Sequence, residues 1–318
     1  MWPTRKGAFH LFRFAGIDVY LHYSWFLLAL AVYFFPSAIG VDTHGGSASS
    51  YGWVALEYFA LFSIVLMHEF GHALACRSVG GIANQIILWP LGGVAYVDPP
   101  RRPGATLWSI AAGPLVNVVL FPILSVFAVI AKSTDLGATF PNVYEFIKTV
   151  WVTNLVLLIF NMLPVYPLDG GQILQSLLWF MVGRARSLLI VSIIGFIGVA
   201  GFMVLSVASG NPWLGLLAGF AGLQCWNGYQ AAQALIRLEK APRHLEFACP
   251  ACDASPPRGP YWTCQRCRAV FDTFDTNAIC PNCQAVFTTT KCIECGTARP
   301  IQAWVQTTLV QPPVVHDT

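Results

Sequence analysis

Charge is what this sequence has least of. Only 10% of its 318 residues are Asp, Glu, Lys or Arg, against 56% hydrophobic, whereas soluble domains carry about 25% charged residues. So little charge argues against a water-soluble globular domain and for a chain that lies in lipid. The 18 basic and 15 acidic residues leave a net charge of +3, too small a surplus for a surface that tracks phosphates, and nucleic acid is not an expected partner. Arg5, Lys6 and Arg13 are followed by no small-residue cleavage site, so no removable signal peptide is expected. No internal repeat stands out.

What is present is a series of long apolar segments, at about 19–40, 52–76, 105–131, 147–163, 188–207 and 213–235, each near the roughly 20 residues that cross a bilayer as a helix. The stretch from Lys132 to Asn142 is polar and loop-like. Near Lys240 to His244 the hydrophobic runs stop, which suggests a membrane domain over 1–240 and a smaller domain over 241–318. With six crossings and a cytoplasmic N-terminus, Arg77, Arg101, Arg102, Arg184, Arg186, Arg237, Lys240 and Arg243 all lie inside and only Lys132 and Lys148 outside. That is the bias of a chain with both termini in the cytoplasm. The segment from Asn84 to Asp98 differs: Pro90, Gly92 and Gly93 interrupt it, and it reads as two short strands about a Gly-Gly turn.

The second apolar segment carries His68-Glu69-Phe70-Gly71-His72. On a helix, positions i and i+4 share a face, so both imidazoles can reach one zinc ion, with Glu69 beside them as general base. Two histidines and a glutamate in one turn of a lipid-spanning helix cost several kcal/mol, roughly 2.5–3.5 per charged group on insertion scales, and such groups are retained for function. A catalytic zinc needs a third protein ligand. Asp169 is the candidate, in Asn161-Met162-Leu163-Pro164-Val165-Tyr166-Pro167-Leu168-Asp169-Gly170-Gly171. Pro164 and Pro167 stop the fourth helix, and Gly170-Gly171 permits a tight turn that presents the carboxylate. In the six-crossing topology all three ligands fall at similar depth on the cytoplasmic side. The structural alternative for Asp169 is a helix cap.

Four Cys-x-x-Cys pairs crowd the C-terminal region: Cys249/Cys252, Cys264/Cys267, Cys280/Cys283 and Cys292/Cys295. Their spacing is that of two four-cysteine zinc ribbons, closed and therefore structural. Adjacent pairing, Cys249, Cys252, Cys264 and Cys267 in one site and Cys280, Cys283, Cys292 and Cys295 in the other, is the expectation, with interleaved pairing the alternative. Basic residues (Arg258, Arg266, Arg268, Lys291, Arg299) and acidic ones (Asp253, Asp272, Asp275, Glu294) nearly balance there, which argues for a cytoplasmic protein-recognition or regulatory module, or an inert appendage, over nucleic-acid binding. Tyr261, Trp262, Phe271 and Phe274 are either ribbon core or a docking face. Cys76 and Cys225 lie in apolar stretches. His22 reads as a packing histidine, and His10, His44, His244 and His316 lack ligand spacing.

Together, H-E-F-G-H, L-G-G-V-A, G-P-L-V-N at Gly113 to Asn117, and N-M-L-P-V-Y-P-L-D-G-G-Q resemble the site-2 protease family of intramembrane zinc metalloproteases. The start, G-I-D-V-Y-L-H-Y-S-W, resembles the first helix of that family's compact six-helix branch. The resemblance covers about residues 10–235 and leaves no room for an inserted PDZ domain. It implies His68, His72 and Asp169 as ligands, Glu69 as base, and Asn161 as the residue that holds substrate near the metal. Asn117 matches a further family position. It also implies transmembrane protein substrates and a multi-pass protein of a prokaryotic cell membrane.

The expectation is thus an all-α polytopic membrane protein with a small hairpin and a C-terminal zinc-ribbon β domain, holding one catalytic and two structural zinc ions. The rival readings are a non-proteolytic zinc-binding membrane scaffold, which has no need of Glu69, and a metal transporter, which would spread polar residues along a path instead of gathering them at one depth.

Overall fold

The structure, a computed structural model, describes residues 7–27, 30, 48–89 and 92–305. It divides into two compact units, Met1–Ala231 and Ala232–Thr318.

The first unit opens with an unexpected sheet. Strands β1 (Ala8–Phe14) and β2 (Ile17–His22) form an antiparallel hairpin in which Phe14 pairs with Ile17. The two linking residues, Ala15 and Gly16, have φ of 49° and 74°, the doubly left-handed turn that matches the twist of a tight hairpin. The first expected membrane segment, about 19–40, is therefore wrong at its start. Ile17, Val19 and Leu21 alternate with Asp18, Tyr20 and His22, a period of two that a helix cannot use. Residues 24–27 are helical, and most of the remainder of that segment lies outside the described residues.

Helix α1 (Ala48–Ser78) carries the chain across so that β3 (Ile82–Trp89) lies parallel to β2, a pairing that requires a long crossover. Strand β4 (Gly92–Asp98) returns antiparallel to β3. The expected hairpin is real, but Trp89 pairs with Gly92, so the connection is residues 90–91 and the Gly-Gly pair is already strand. The sheet order is β1-β2-β3-β4, which leaves β4 at an edge. Buried Ile17, Val19, Ala83, Ile86 and Leu88 pack with Val65, Ala73 and Cys76 of α1, so the sheet is held against the helix that bears the histidines.

Five helices are added: α2 (Pro103–Ser133), α4 (Pro141–Asn161), α5 (Asp169–Val182), α6 (Arg184–Ser209) and α7 (Pro212–Glu239), with a short α3 (Leu136–Thr139) inside the expected loop. Among the described residues, four helices are long and apolar enough to cross a membrane: α1, α2, α4 and α6. The α7 segment falls below that standard; Gln224, Asn227, Gln230 and Gln233 dilute its apolar run.

The second unit holds two-residue strands in pairs, β5 (Trp262–Thr263) with β6 (Val270–Phe271) and β7 (Thr290–Lys291) with β8 (Ala298–Arg299). Its apolar core is small: Phe274 and Trp304 pack with Cys249 and Cys292, and Phe271 with Cys264 and Cys280. So little buried area leaves much of the folding energy to be supplied by metal.

Candidate metal centres

His68 and His72 lie one turn apart on α1, each about 6% exposed, as is Glu69 between them. Asp169 is the first residue of α5 and comes to both rings: Oδ2 is 3.0 Å from His68 Nε2 and Oδ1 is 3.5 Å from His72 Nε2, while the two Nε2 atoms are 3.1 Å apart. Four ligands placed tetrahedrally about 2.0–2.1 Å from a zinc ion stand roughly 3.3–3.4 Å from one another, close to these separations.

The protonation pattern fits a cation at the point of convergence. His72 Nδ1 is 2.9 Å from the Ser109 carbonyl oxygen, which only accepts, so Nδ1 carries the hydrogen and Nε2 presents its lone pair. His68 Nδ1 donates to Asn117 Oδ1 at 2.7 Å, with the same result. Two nitrogen lone pairs and a carboxylate then face one point, an arrangement that repels itself unless a cation fills it. The space has been kept clear: Gly113 of α2 faces it, and a Cβ there would land on His72 Nε2 and crowd His68 Nε2. Gly71, next to His72, lets α1 approach α2 so closely that a side chain would strike the Ala112 carbonyl.

The geometry around Asp169 corrects one expectation. Gly170 and Gly171 make no tight turn; they form the first turn of α5. They are needed for close approach, since a Cβ on Gly170 would strike the Met162 and Leu163 carbonyls and one on Gly171 the Val165–Tyr166 backbone. The loop between the two prolines is thereby pressed onto the helix that starts with the ligand.

Glu69 points to the sheet: its Oε2 accepts the Ala95 N–H of edge strand β4 at 2.8 Å. Asn161, the last residue of α4, is half-buried and makes no hydrogen bond to His68, Glu69, His72 or Asp169. Asn117, which meets His68, and Asn154, which meets Asn117, are both fully buried. Asn154 gives no signal in sequence beyond a lone amide in an apolar run. His22 stacks on Trp89 at 3.9 Å and bonds Ser24 Oγ at 2.6 Å.

The cysteines assemble in a nested order, contrary to the adjacent pairing expected. Cys249, Cys252, Cys292 and Cys295 form one group and Cys264, Cys267, Cys280 and Cys283 the other. Sulfur separations are 3.7 Å (Cys249–Cys295), 3.9 Å (Cys252–Cys292), 3.6 Å (Cys264–Cys283) and 3.6 Å (Cys267–Cys280). A disulfide bond measures about 2.05 Å, whereas thiolates about 2.3 Å from a tetrahedral zinc stand roughly 3.8 Å apart. All ten cysteines are free.

All four pairs are built on a common knuckle. The amides of Cys249, Cys264, Cys280 and Cys292 donate to the carbonyls of Ala254, Ala269, Ala285 and Thr297, each five residues on. The residue after each second cysteine (Asp253, Arg268, Gln284, Gly296) has φ between 56° and 80°. Against the expectation of no internal repeat, the inner two knuckles share Cys-x-x-Cys-x-Ala-Val-Phe at Cys264–Phe271 and Cys280–Phe287, and their phenylalanines meet at 5.9 Å. Like knuckles face each other, and the short segment between Phe271 and Cys280 links the two knuckles of the inner site.

His244, discounted from sequence, is fully buried. Nε2 lies 3.0 Å from Asp272 Oδ2 and 3.8 Å from Asp275 Oδ1, and Nδ1 lies 3.1 Å from Glu246 Oε1 and 3.3 Å from Arg258 Nε. Burial alone would lower its pKa, but the bonds to Asp272 and Glu246 outweigh it and the net shift is upward. Asp272 shifts the other way: burial raises it, and the Gly259 amide, His244 and the Phe274 amide lower it by more. The cluster satisfies itself.

Comparison with known proteins follows the same residues. Residues 57–147 and 132–205 match peptidase family M50, and both metal-facing motifs lie inside that range. A zinc metalloprotease of Methanocaldococcus jannaschii is 31% identical over 188 residues, 59% of this chain and 50% of that protein. Stage IV sporulation protein FB of Bacillus subtilis is 34% identical over 119 residues, 36% of this chain and 37% of that protein. The solved structure of a site-2 protease from Methanocaldococcus jannaschii aligns with 70% of this chain and 95% of its own, at 25% identity and a TM-score of 0.49. This chain spans about half the length of the curated relatives it matches. The M50 match and the apolar helices α1, α2, α4 and α6 make this an integral membrane protein.

Proposed function

We propose that this protein is an intramembrane zinc metalloprotease that hydrolyses peptide bonds in or near the transmembrane helices of other membrane proteins. The observation that carries the proposal is the convergence of His68 Nε2, His72 Nε2 and Asp169 on one point beside the carboxylate of Glu69, within a unit that matches peptidase family M50. His68, His72 and Asp169 hold the catalytic zinc. A zinc ion held by these three residues would polarise the scissile carbonyl and acidify the attacking water. Glu69 takes the proton from that water and delivers it to the leaving amine. Asn161, at the end of the helix that leads into the Asp169 loop, holds the substrate backbone.

A helical substrate hides its peptide bonds in its own ladder and must unwind before it can be cut. Strand β4 offers the unwound segment an edge. The Ala95 N–H that points off this edge already meets Glu69, so a peptide paired along β4 runs past the base. The two four-cysteine groups hold structural zinc ions, in a cytoplasmic zinc-ribbon domain over 241–318 that binds a protein regulator. Six crossings, with both termini cytoplasmic in a prokaryotic cell membrane, agree with the distribution of Lys and Arg.

The test is quantitative membrane proteomics in the native host, wild type against Glu69→Gln. Single-span proteins that accumulate intact in the variant, with loss of their soluble fragments, identify the substrates. No change under several stresses, with zinc still bound, would leave a non-proteolytic scaffold in place of a protease.

A further inference from the structure

Asn154 lies two helical turns before Asn161 on α4, is fully buried, and makes its hydrogen bonds to Asn117 rather than to His68, His72 or Asp169. Its Nδ2 donates to the backbone carbonyl of Asn117 at 3.1 Å, and its Oδ1 accepts from Asn117 Nδ2 at 2.9 Å. Asn117 in turn presents Oδ1 to His68 Nδ1. We infer that Asn154 is a positioning residue for the metal site, setting the tautomer of His68 through the amide of Asn117. The inference rests on His68 being a zinc ligand.

The direction of each bond follows from one group that has no choice. A backbone carbonyl only accepts, so Asn154 must aim Nδ2 at Asn117 O and therefore Oδ1 at the Asn117 side chain. An oxygen there only accepts, so Asn117 must aim Nδ2 at Asn154 and Oδ1 at His68. The imidazole must then carry its hydrogen on Nδ1 and leave the Nε2 lone pair for metal. His72 needs no such chain, because Ser109 O fixes it directly. Without Asn154, the Asn117 amide is free to turn over. With Nδ2 toward His68, the ring would place its hydrogen on Nε2, facing the metal. Three spanning helices are tied by this chain, α1 through His68, α2 through Asn117 and α4 through Asn154, at a depth where an unpaired amide finds no water.

The experiment follows the one zinc ion that His68→Ala removes from the purified full chain, measuring its affinity by chelator competition. Asn117→Ala and Asn154→Ala are each expected to weaken it by roughly 10–100-fold, as loss of an outer partner does at other metal sites. The double variant is expected to be no weaker than Asn117→Ala, because Asn154 acts through that side chain. Asn154→Asp keeps the acceptor and, as the protonated acid, a donor, and is expected to retain affinity. Wild-type affinity in Asn154→Ala, or losses that multiply in the double variant, would overturn the relay and leave plain helix packing. Should Asn154→Ala fail to fold, as read from the thermal transition of the metal-free protein, Asn154→Asp against Asn154→Leu decides in the same way. If His68→Ala removes no zinc from the wild-type stoichiometry, the ligand assignment itself has failed, and the relay with it.

Discussion

Gly113 packs directly against the rings of His72 and His68: a Cβ on it would collide with His72 Nε2 and Cε1 and crowd His68 Nε2, so any side chain there pushes the ligands out of place. Gly113→Ala is therefore expected to lower the zinc content of the purified protein by one equivalent and to reduce proteolysis at least about 100-fold, on the scale of losing an essential catalytic element. The zinc of the cysteine groups should stay. Metal analysis by mass spectrometry reads the difference, and full zinc content in the variant would contradict the site.

Glu69 is close to the ligands but turned toward Ala95, so it is not needed to hold metal. Glu69→Gln should keep the wild-type zinc content and lower kcat by about 100- to 10,000-fold. Cleavage of a single-span substrate in proteoliposomes is the measurement, and a rate near wild type would remove Glu69 from the chemistry.

Ala95 tests the edge strand. Its N–H points to Glu69 and away from β3, so proline there removes no bond of the β3–β4 ladder, as edge positions tolerate. Ala95→Pro should preserve zinc content and the thermal transition while lowering turnover, by no more than the roughly 100- to 10,000-fold that the positioned base itself contributes. Unchanged cleavage would mean that the hairpin merely covers the site.

Nested and adjacent pairing of the cysteines make different counts. Replacing Cys249, Cys252, Cys292 and Cys295 together by Ser should remove one zinc ion, because these four share a site; adjacent pairing would lose two. The quadruple variant in Cys264, Cys267, Cys280 and Cys283 gives the reciprocal check.

The His244–Asp272 pair makes the second unit pH-sensitive. His244 is raised above its ordinary 6.5 on folding, so its contribution is complete below that pH and is lost as pH rises through the folded value. Asp272 is lowered from 3.8, so its contribution is present above 3.8 and lost as pH falls through the lower folded value. Facing groups Glu246, Asp275 and Arg258 modulate both. Hydrogen exchange of residues 244–276, corrected for intrinsic rates, should show protection that declines from pH 6 to pH 9. His244→Ala should destabilise the unit by about 1.5–3 kcal/mol, the range for a hydrogen bond to a charged group, and abolish that decline.

The sequence by itself determined the features written within a few residues of one another or in composition. His68, Glu69 and His72 share one turn, so helical periodicity alone brings them to one face. Low charge and long apolar runs declare the membrane, and Cys-x-x-Cys spacing declares a metal knuckle. Asp169 was reachable because depth in a bilayer is a single coordinate that crossing order supplies. Only the tertiary structure decided what depends on lateral packing. Ala8–His22 became a hairpin because β2 has β3 to pair with, and propensity cannot see a partner brought in by a later crossover. Four like knuckles carry no label for their mates, and three-dimensional closure selected the nested set. The amides of Asn117 and Asn154 meet across two helices and define His68's free lone pair through hydrogen-bond direction, a property of neighbours in space that no spacing along the chain encodes.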